Sequence, residues 1–150
     1  MSLSHIFQNP VLISGLIGWF LAQLLKAPIE YLRTHEWKWA LLFAAGGMPS
    51  SHSGLITSTA VAVGLHYGFD NPIFGLAIAI AMIVIYDAAG IRRQAGMQAQ
   101  KINIMVEELL KGHPISQEQL KEVIGHTPWE ALGGVILGIS VAVLYWLFVQ

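Results

Sequence analysis

Apolar residues gather in four long blocks along the chain, and the polar residues collect between them. The blocks are Val11–Leu25, Gly54–Tyr67, Pro72–Tyr86 and Ala131–Val149. A helix needs about 20 mainly apolar residues to cross the hydrocarbon core of a bilayer. The fourth block reaches that length, the third nearly does, and the first two reach it when their ends extend into the polar layers. The pattern predicts an all-α integral membrane helical bundle of about four transmembrane helices, formed by residues 1–150 as a single domain.

Two regions between the blocks have the pattern of helices that lie at the membrane surface. Trp39–Gly47 is too short to span a bilayer, and tryptophans flank it, so we expect an interfacial or re-entrant helix. The stretch 91–127 is the one insert with a soluble character. Its apolar stripe over Gln98–Leu110 predicts an amphipathic helix, and a capping pattern predicts a second short helix over Gln117–Ile124.

The composition agrees with a membrane protein, because 55% of the residues are hydrophobic and only 11% are charged. Soluble domains carry about 25% charged residues. The net charge of −1 argues against a nucleic-acid partner attracted by the field of the whole molecule. The absence of cysteine excludes thiol catalysis, disulfides and cysteine-ligated zinc. The histidines outside the candidate clusters lack the spacing of metal ligands, so we expect neither a metal site nor a cofactor.

The basic residues predict the orientation of the chain in the membrane. All eight lie between the first and second blocks or between the third and fourth: Lys26, Arg33, Lys38, Arg92, Arg93, Lys101, Lys111 and Lys121. They share one face of the membrane when Trp39–Gly47 does not cross it, and the positive-inside tendency makes that face cytoplasmic. The stretch 91–127 is then a cytoplasmic insert, and both termini are expected on the opposite side.

A serine-rich turn precedes the second block, with the sequence Pro49-Ser50-Ser51-His52-Ser53. A turn that opens a helix presents backbone N–H groups and the positive end of the helix dipole, which together bind phosphate. The simpler interpretation is that one of the three serines only caps the helix. His52 adds a group that titrates near neutral pH, which favours a functional role for this turn.

A second candidate cluster opens the fourth block, at Gly125-His126-Thr127-Pro128-Trp129-Glu130. Thr127 and Glu130 have the spacing of a capping box, and proline at the first helical position strengthens that purely structural interpretation. The spacing of four residues between His126 and Glu130 also lets the Glu130 carboxylate face the ring of His126. A carboxylate that accepts from one ring nitrogen sets the tautomer and leaves the other nitrogen nucleophilic.

The third cluster is basic. Lys26 and Arg33 are seven residues apart, about two turns, so both can lie on one face of a helix that continues from the first block. Arg92 and Arg93 end the third block close to Asp87, an acid that is costly beside a membrane span unless it is paired. We expect one of the two arginines to pair with it. The alternative role for the basic residues is anchoring at the membrane surface.

These residues, in this order, resemble the type 2 phosphatidic acid phosphatase superfamily. The spacing Lys26-x6-Arg33, the motif Pro49-Ser50-Ser51-His52 and the spacing His126-x3-Glu130 are similar to its three signature motifs. The stretches 46–53 and 86–93 resemble more closely a small divergent branch, related to acid phosphatases and vanadium-dependent haloperoxidases. The resemblance covers essentially the whole chain.

The resemblance implies a membrane-embedded, metal-independent phosphatase that hydrolyses a lipid or isoprenoid monophosphate through a phosphohistidine. It implies that His126 attacks phosphorus, Glu130 orients that histidine, and His52 protonates the leaving alkoxide. The phosphoryl oxygens would be held by Lys26, Arg33 and the backbone around Ser50 and Ser51. Arg92 or Arg93 is our candidate to replace, from another helix, the signature arginine whose place Leu120 takes. Phosphoryl transfer of this kind depends mainly on positioning and on neutralising the charge of those oxygens.

Three departures from the superfamily signature leave other functions open. Thr34 stands where the signature has proline, Ser51 where it has glycine, and Leu120 where it has arginine. The alternative is a catalytically degenerate protein that binds a phospholipid headgroup or has a structural role in the membrane. A channel or transporter is a third alternative, which the lack of an internal repeat disfavours. The expected partner is a membrane lipid phosphate, and Gly134 and Gly138 allow close helix packing, either within the chain or in a homodimer.

Overall fold

A computed structural model of the protein describes residues 3–44, 46–109 and 126–149, and within these all side chains except those of 3–5, 91–93, 107 and 108. All regular structure in these ranges is helical, which confirms the all-α prediction. The α-helices are α1 (Pro10–Thr34), α2 (Ser51–Tyr67), α3 (Pro72–Ala89), α4 (Ile91–Leu109) and α5 (Pro128–Val149). Short 3-10 helices cover Leu3–Gln8 and Trp39–Phe43.

Local capping determines where these helices begin. The Asn9 side chain accepts the N–H groups of the second and third residues of α1, and Pro10 stands at the first helical position. Asn71 and Pro72 start α3 in the same way. Ser50 caps α2 by accepting from an N–H of its first turn. An asparagine or serine cap satisfies donors that have no partner inside the helix, and proline there loses no hydrogen bond.

In the part of the chain that the structure describes, three helices are long and apolar enough to cross a membrane, namely α1, the helix that begins at Pro72, and α5. The fourth predicted span is α2, which has 17 residues and packs against the other three. Its buried side chains are mainly small: Ser51, Ser53, Gly54, Thr57, Ser58, Ala60, Ala62, Val63 and Gly64. Because α2 contacts protein on several sides, it does not need the large apolar side chains that lipid-facing helices carry.

Glycines bring the backbones of α1, α2 and α5 into close contact. A Cβ on Gly18 of α1 would lie 2.8 Å from the Gly54 carbonyl oxygen of α2. A Cβ on Gly138 of α5 would lie 2.8 Å from the same oxygen, and one on Gly134 would overlap the Ser50 carbonyl oxygen. The neighbour of the small face on α5 is therefore α2 of the same chain.

The predicted surface segments differ from the observed ones in extent. In the described part of Trp39–Gly47 the regular structure is the 3-10 helix Trp39–Phe43, and none of its residues is buried. The amphipathic pattern over Gln98–Leu110 belongs to α4, which starts at Ile91 directly after α3. The second short helix, predicted over Gln117–Ile124, lies outside the described residues.

Candidate active site

The first turn of α2 forms one wall of the site. The Ser50 hydroxyl accepts the Ser53 N–H at 3.3 Å, and the Ser50 carbonyl accepts the Gly54 N–H at 3.0 Å. Ser50 is therefore the helix cap, as the simpler interpretation of the turn has it. The N–H groups of Ser51 and His52 precede the first intrahelical hydrogen bond, which leaves them at the positive end of the helix dipole.

The first turn of α5 forms the opposite wall. Glu130 Oε2 accepts the Thr127 N–H at 3.0 Å, and the Thr127 hydroxyl accepts the Glu130 N–H at 3.3 Å. This is the predicted capping box. The same carboxylate oxygen lies 3.3 Å from Nδ1 of His126, whose side chain is almost fully buried. One carboxylate oxygen makes the capping contact and also faces His126, so the geometry is compatible with both the structural and the orienting interpretation of Glu130.

Backbone hydrogen bonds join these two helix starts to the end of α3. The Ser50 N–H donates to the Glu130 carbonyl at 2.9 Å, which ties the cap of α2 to the first turn of α5. The His126 N–H donates to the Ala88 carbonyl in the last turn of α3 at 3.1 Å. Three helix ends thus meet at one point. The first backbone link restrains Glu130, and the second restrains His126.

The two candidate catalytic histidines lie side by side. The ring centroids of His52 and His126 are 6.1 Å apart, with 62° between the ring planes. At that separation the rings are in edge contact, so a phosphate group can touch both from the side but cannot lie between them. This geometry suits one histidine bonded to phosphorus and a second that reaches an oxygen on the same phosphorus.

Lys26 approaches the same point from α1. Its side chain is 1% exposed, and Nζ donates to the Ala44 carbonyl at 2.7 Å. It is near enough to Glu130 for the two charges to attract each other. An ammonium group has three donors, so a bond to one carbonyl leaves it able to bind a phosphate oxygen as well.

Comparison with known proteins places this arrangement in a family. The model of the divergent PAP2 family matches residues 7–141. The chain belongs to the divergent PAP2 family. It is 36% identical over 146 aligned positions to YuiD, an uncharacterized membrane protein of Bacillus subtilis (strain 168), an alignment that covers 90% of this chain and 92% of the relative. No solved structure matches the chain.

Membership of the divergent PAP2 family confirms the resemblance that the motifs indicate. The matched range contains all three motifs, including the two histidines and Glu130. Among the described residues, no three His, Asp or Glu side chains lie close enough together to hold a metal ion.

Several residues predicted for the site do not join this cluster or lie outside the described side chains. Arg33 is 74% exposed in its side chain and pairs with Glu30 at 3.8 Å, so the structure does not bring it to Lys26. The side chains of Arg92 and Arg93 lie outside the described residues, and their pairing with Asp87 stays a prediction. Asp87 itself is half-buried, near the end of α3.

Two polar residues near the cluster, Gln23 and Ser53, are not among the predicted site residues. Gln23, one turn before Lys26, donates to the carbonyls of Leu42 and Ala44 at 2.7 and 3.2 Å, which ties the loop before α2 to α1. The Ser53 hydroxyl is buried and has no hydrogen-bond partner among the described residues. The only sequence signal for Gln23 is a lone amide inside an otherwise apolar block.

Proposed function

We propose that this member of the divergent PAP2 family is a membrane-embedded phosphatase that hydrolyses a lipid or isoprenoid monophosphate through a phosphohistidine, without a metal ion. The main support is the contact between Glu130 and Nδ1 of His126, with the ring of His52 in contact beside it. A proton on Nδ1 puts the lone pair of the neutral ring on Nε2, which is the atom that attacks.

In the first step, Nε2 of His126 forms a bond to phosphorus while the bond from phosphorus to the ester oxygen breaks. His52, in its protonated form, gives its proton to that oxygen, and the alcohol leaves. The Glu130 carboxylate stabilises the positive charge that the ring of His126 acquires. Placed general acids contribute about 10²–10⁴ in rate.

In the second step, water attacks phosphorus and the bond from nitrogen to phosphorus breaks, which releases inorganic phosphate. His52 takes the proton from that water and returns to its starting form. The charge on the transferring oxygens is balanced by Lys26 and by the first-turn N–H groups of Ser51 and His52. The substrate's head lies at the cytoplasmic face in this proposal, because the basic residues flank the helices there.

The test is phosphate release by the purified protein in detergent, without added metal, from a panel of lipid monophosphates. We expect turnover that vanadate inhibits and that His126→Ala abolishes. His66→Ala, in the last turn of the same helix as His52, is a matched control that should keep full turnover. A His126→Ala variant with wild-type turnover would overturn the proposal.

The second candidate function is binding of a phosphorylated headgroup without hydrolysis. It is favoured by the exposed position of Arg33, because the described cluster then has one cation fewer than the superfamily signature implies. An inactive wild-type protein that binds inorganic phosphate or vanadate, and loses that binding in Lys26→Met and His52→Ala, would support this function over catalysis.

A further inference from the structure

An apolar groove of about 570 Å³ runs between α3 and α5. Its walls include Met82, Ile85 and Tyr86 of α3 and Ala131, Leu132 and Val135 of α5. The groove exists because α3 and α5 both pack on α2 and make few contacts with each other. Its volume is within the range of about 300–1,000 Å³ that is usual for small-molecule sites.

One end of the groove adjoins the candidate active site. Gly90 and Pro128 line that end, and Pro128 is the second residue after His126. Ala131, on the groove wall, directly follows Glu130. From Pro128 to Val135 the groove follows α5 for seven residues, which is roughly 10 Å at 1.5 Å per residue, and it follows α3 over a similar length. Pro128 and Ala131 are thus chain neighbours of His126 and Glu130, and the His126 N–H bond to the Ala88 carbonyl holds His126 at the end of α3 that borders the groove.

We infer that this groove holds the hydrocarbon chain of the lipid whose phosphate binds at His126, an inference that rests on the proposed function. The chemistry of the two ends is complementary to such a molecule. In the proposed function Lys26 and the start of α2 bind the phosphate, and the side chains named above that line the groove carry no charge. An amphiphile with one anionic head and one apolar chain matches both ends at once.

The groove acts by orientation rather than by hydrophobic attraction. A lipid chain in the bilayer is already in an apolar medium, so its transfer into the groove gains little from burial. A chain fixed along α3 and α5 instead sets the direction from which the phosphate ester reaches His126. Misplacement of a reacting group by about 1 Å can cost about 10² in rate, so filling the groove should affect long-chain substrates most.

The test compares two phenylalanine substitutions on neighbouring residues of α5. Val135→Phe fills the groove, whereas Ile136→Phe is the matched control, because Ile136 is 58% exposed and does not line the groove. The measured quantity is the ratio of kcat/KM for dodecyl phosphate to that for ethyl phosphate. We expect Val135→Phe to lower this ratio about tenfold and Ile136→Phe to leave it at the wild-type value. An unchanged ratio in Val135→Phe would overturn the inference.

A second variant and a binding measurement distinguish failure of the groove proposal from failure of the proposed phosphatase function. Ile85→Phe fills the groove from α3 and replaces Val135→Phe if the latter does not fold. If the wild type hydrolyses neither of these two substrates, the groove is tested instead by equilibrium binding of dodecyl phosphate in detergent, while the panel of lipid monophosphates decides the proposed function. Binding weakened by Val135→Phe but not by Ile136→Phe supports the groove. Equal binding in both variants, absent binding in the wild type, or dissociation of a dimer by Val135→Phe alone overturns it.

Discussion

Replacing Glu130 with glutamine tests whether its carboxylate orients His126 or only caps α5. Oε2 accepts the Thr127 N–H at 3.0 Å and lies 3.3 Å from His126 Nδ1, so one oxygen makes both contacts. Glutamine keeps an oxygen for the cap but loses the charge. In a serine protease, the change of an orienting carboxylate to its amide costs about 10⁴ in turnover. The Glu130 side chain is 18% exposed, and partial screening by water reduces the effect, so we expect a loss of about 10²–10³.

The assay is phosphate release from a lipid monophosphate, with the thermal midpoint measured on the same preparation. Glu130→Gln should lose turnover at a midpoint close to that of the wild type. Thr127→Ala is the matched control, because it removes the hydroxyl that accepts the Glu130 N–H, at a cost of about 1 kcal/mol, and leaves the carboxylate in place. It should lower the midpoint and keep most turnover. Wild-type turnover in Glu130→Gln would refute the orienting role.

Three further predictions follow from the packing, the charge and the topology. Gly134→Ala places a methyl group against the backbone of α2 and should cost about 1–3 kcal/mol in stability, whereas Gly75→Ala, at an open position inside α3, should keep or raise the thermal midpoint. Lys26→Met should raise KM for the lipid phosphate about tenfold or more, since a hydrogen bond to a charged group contributes about 1.5–3 kcal/mol. Arg33→Met should leave KM near the wild-type value, and an equal rise in both variants would contradict the described site. The chain has no cysteine, so Asp70→Cys provides a single site for labelling in the turn between α2 and α3. This turn lies opposite the cytoplasmic face in the proposed orientation, so the cysteine should react with an impermeant maleimide on intact cells. Protection from the maleimide would reverse the proposed orientation.

The helices and their caps could be predicted because their causes are local. The side chain of Asn71 and the N–H that it caps are two residues apart, and Thr127 and Glu130 bond across three. The central position of α2 could not be predicted in this way. Its small and polar residues lower its hydropathy. A short lipid-facing span and a buried helix can share that pattern, and only the neighbouring helices distinguish the two. Whether Gly134 packs within the chain depends on the same tertiary information.

In the candidate site, too, some features follow from the local sequence and others depend on tertiary packing. Seven residues of an α-helix complete two turns to within about 20°, so the spacing predicts that Lys26 and Arg33 lie near one face of α1. The same spacing separates them by about 10 Å along the helix axis. Which of the two lies level with the start of α2 depends on how α1 packs: Lys26 is buried, and Arg33 is exposed. That level is set by packing between helices, which the spacing of residues within α1 does not contain.

The close packing of α2 also explains how a polar cluster can exist in so apolar a chain. Gly54 lets α1 and α5 approach the same stretch of α2 from two sides, and this brings the caps of α2 and α5 within one backbone hydrogen bond, from Ser50 to Glu130. Two of the proposed phosphate-binding groups, the first-turn N–H groups of Ser51 and His52, are therefore held by a helix backbone, and the third, Lys26, is a buried side chain. A site built on rigid elements keeps its geometry without a large supporting domain. In the proposed function, this junction of helix ends is the preorganised site at which the phosphate binds.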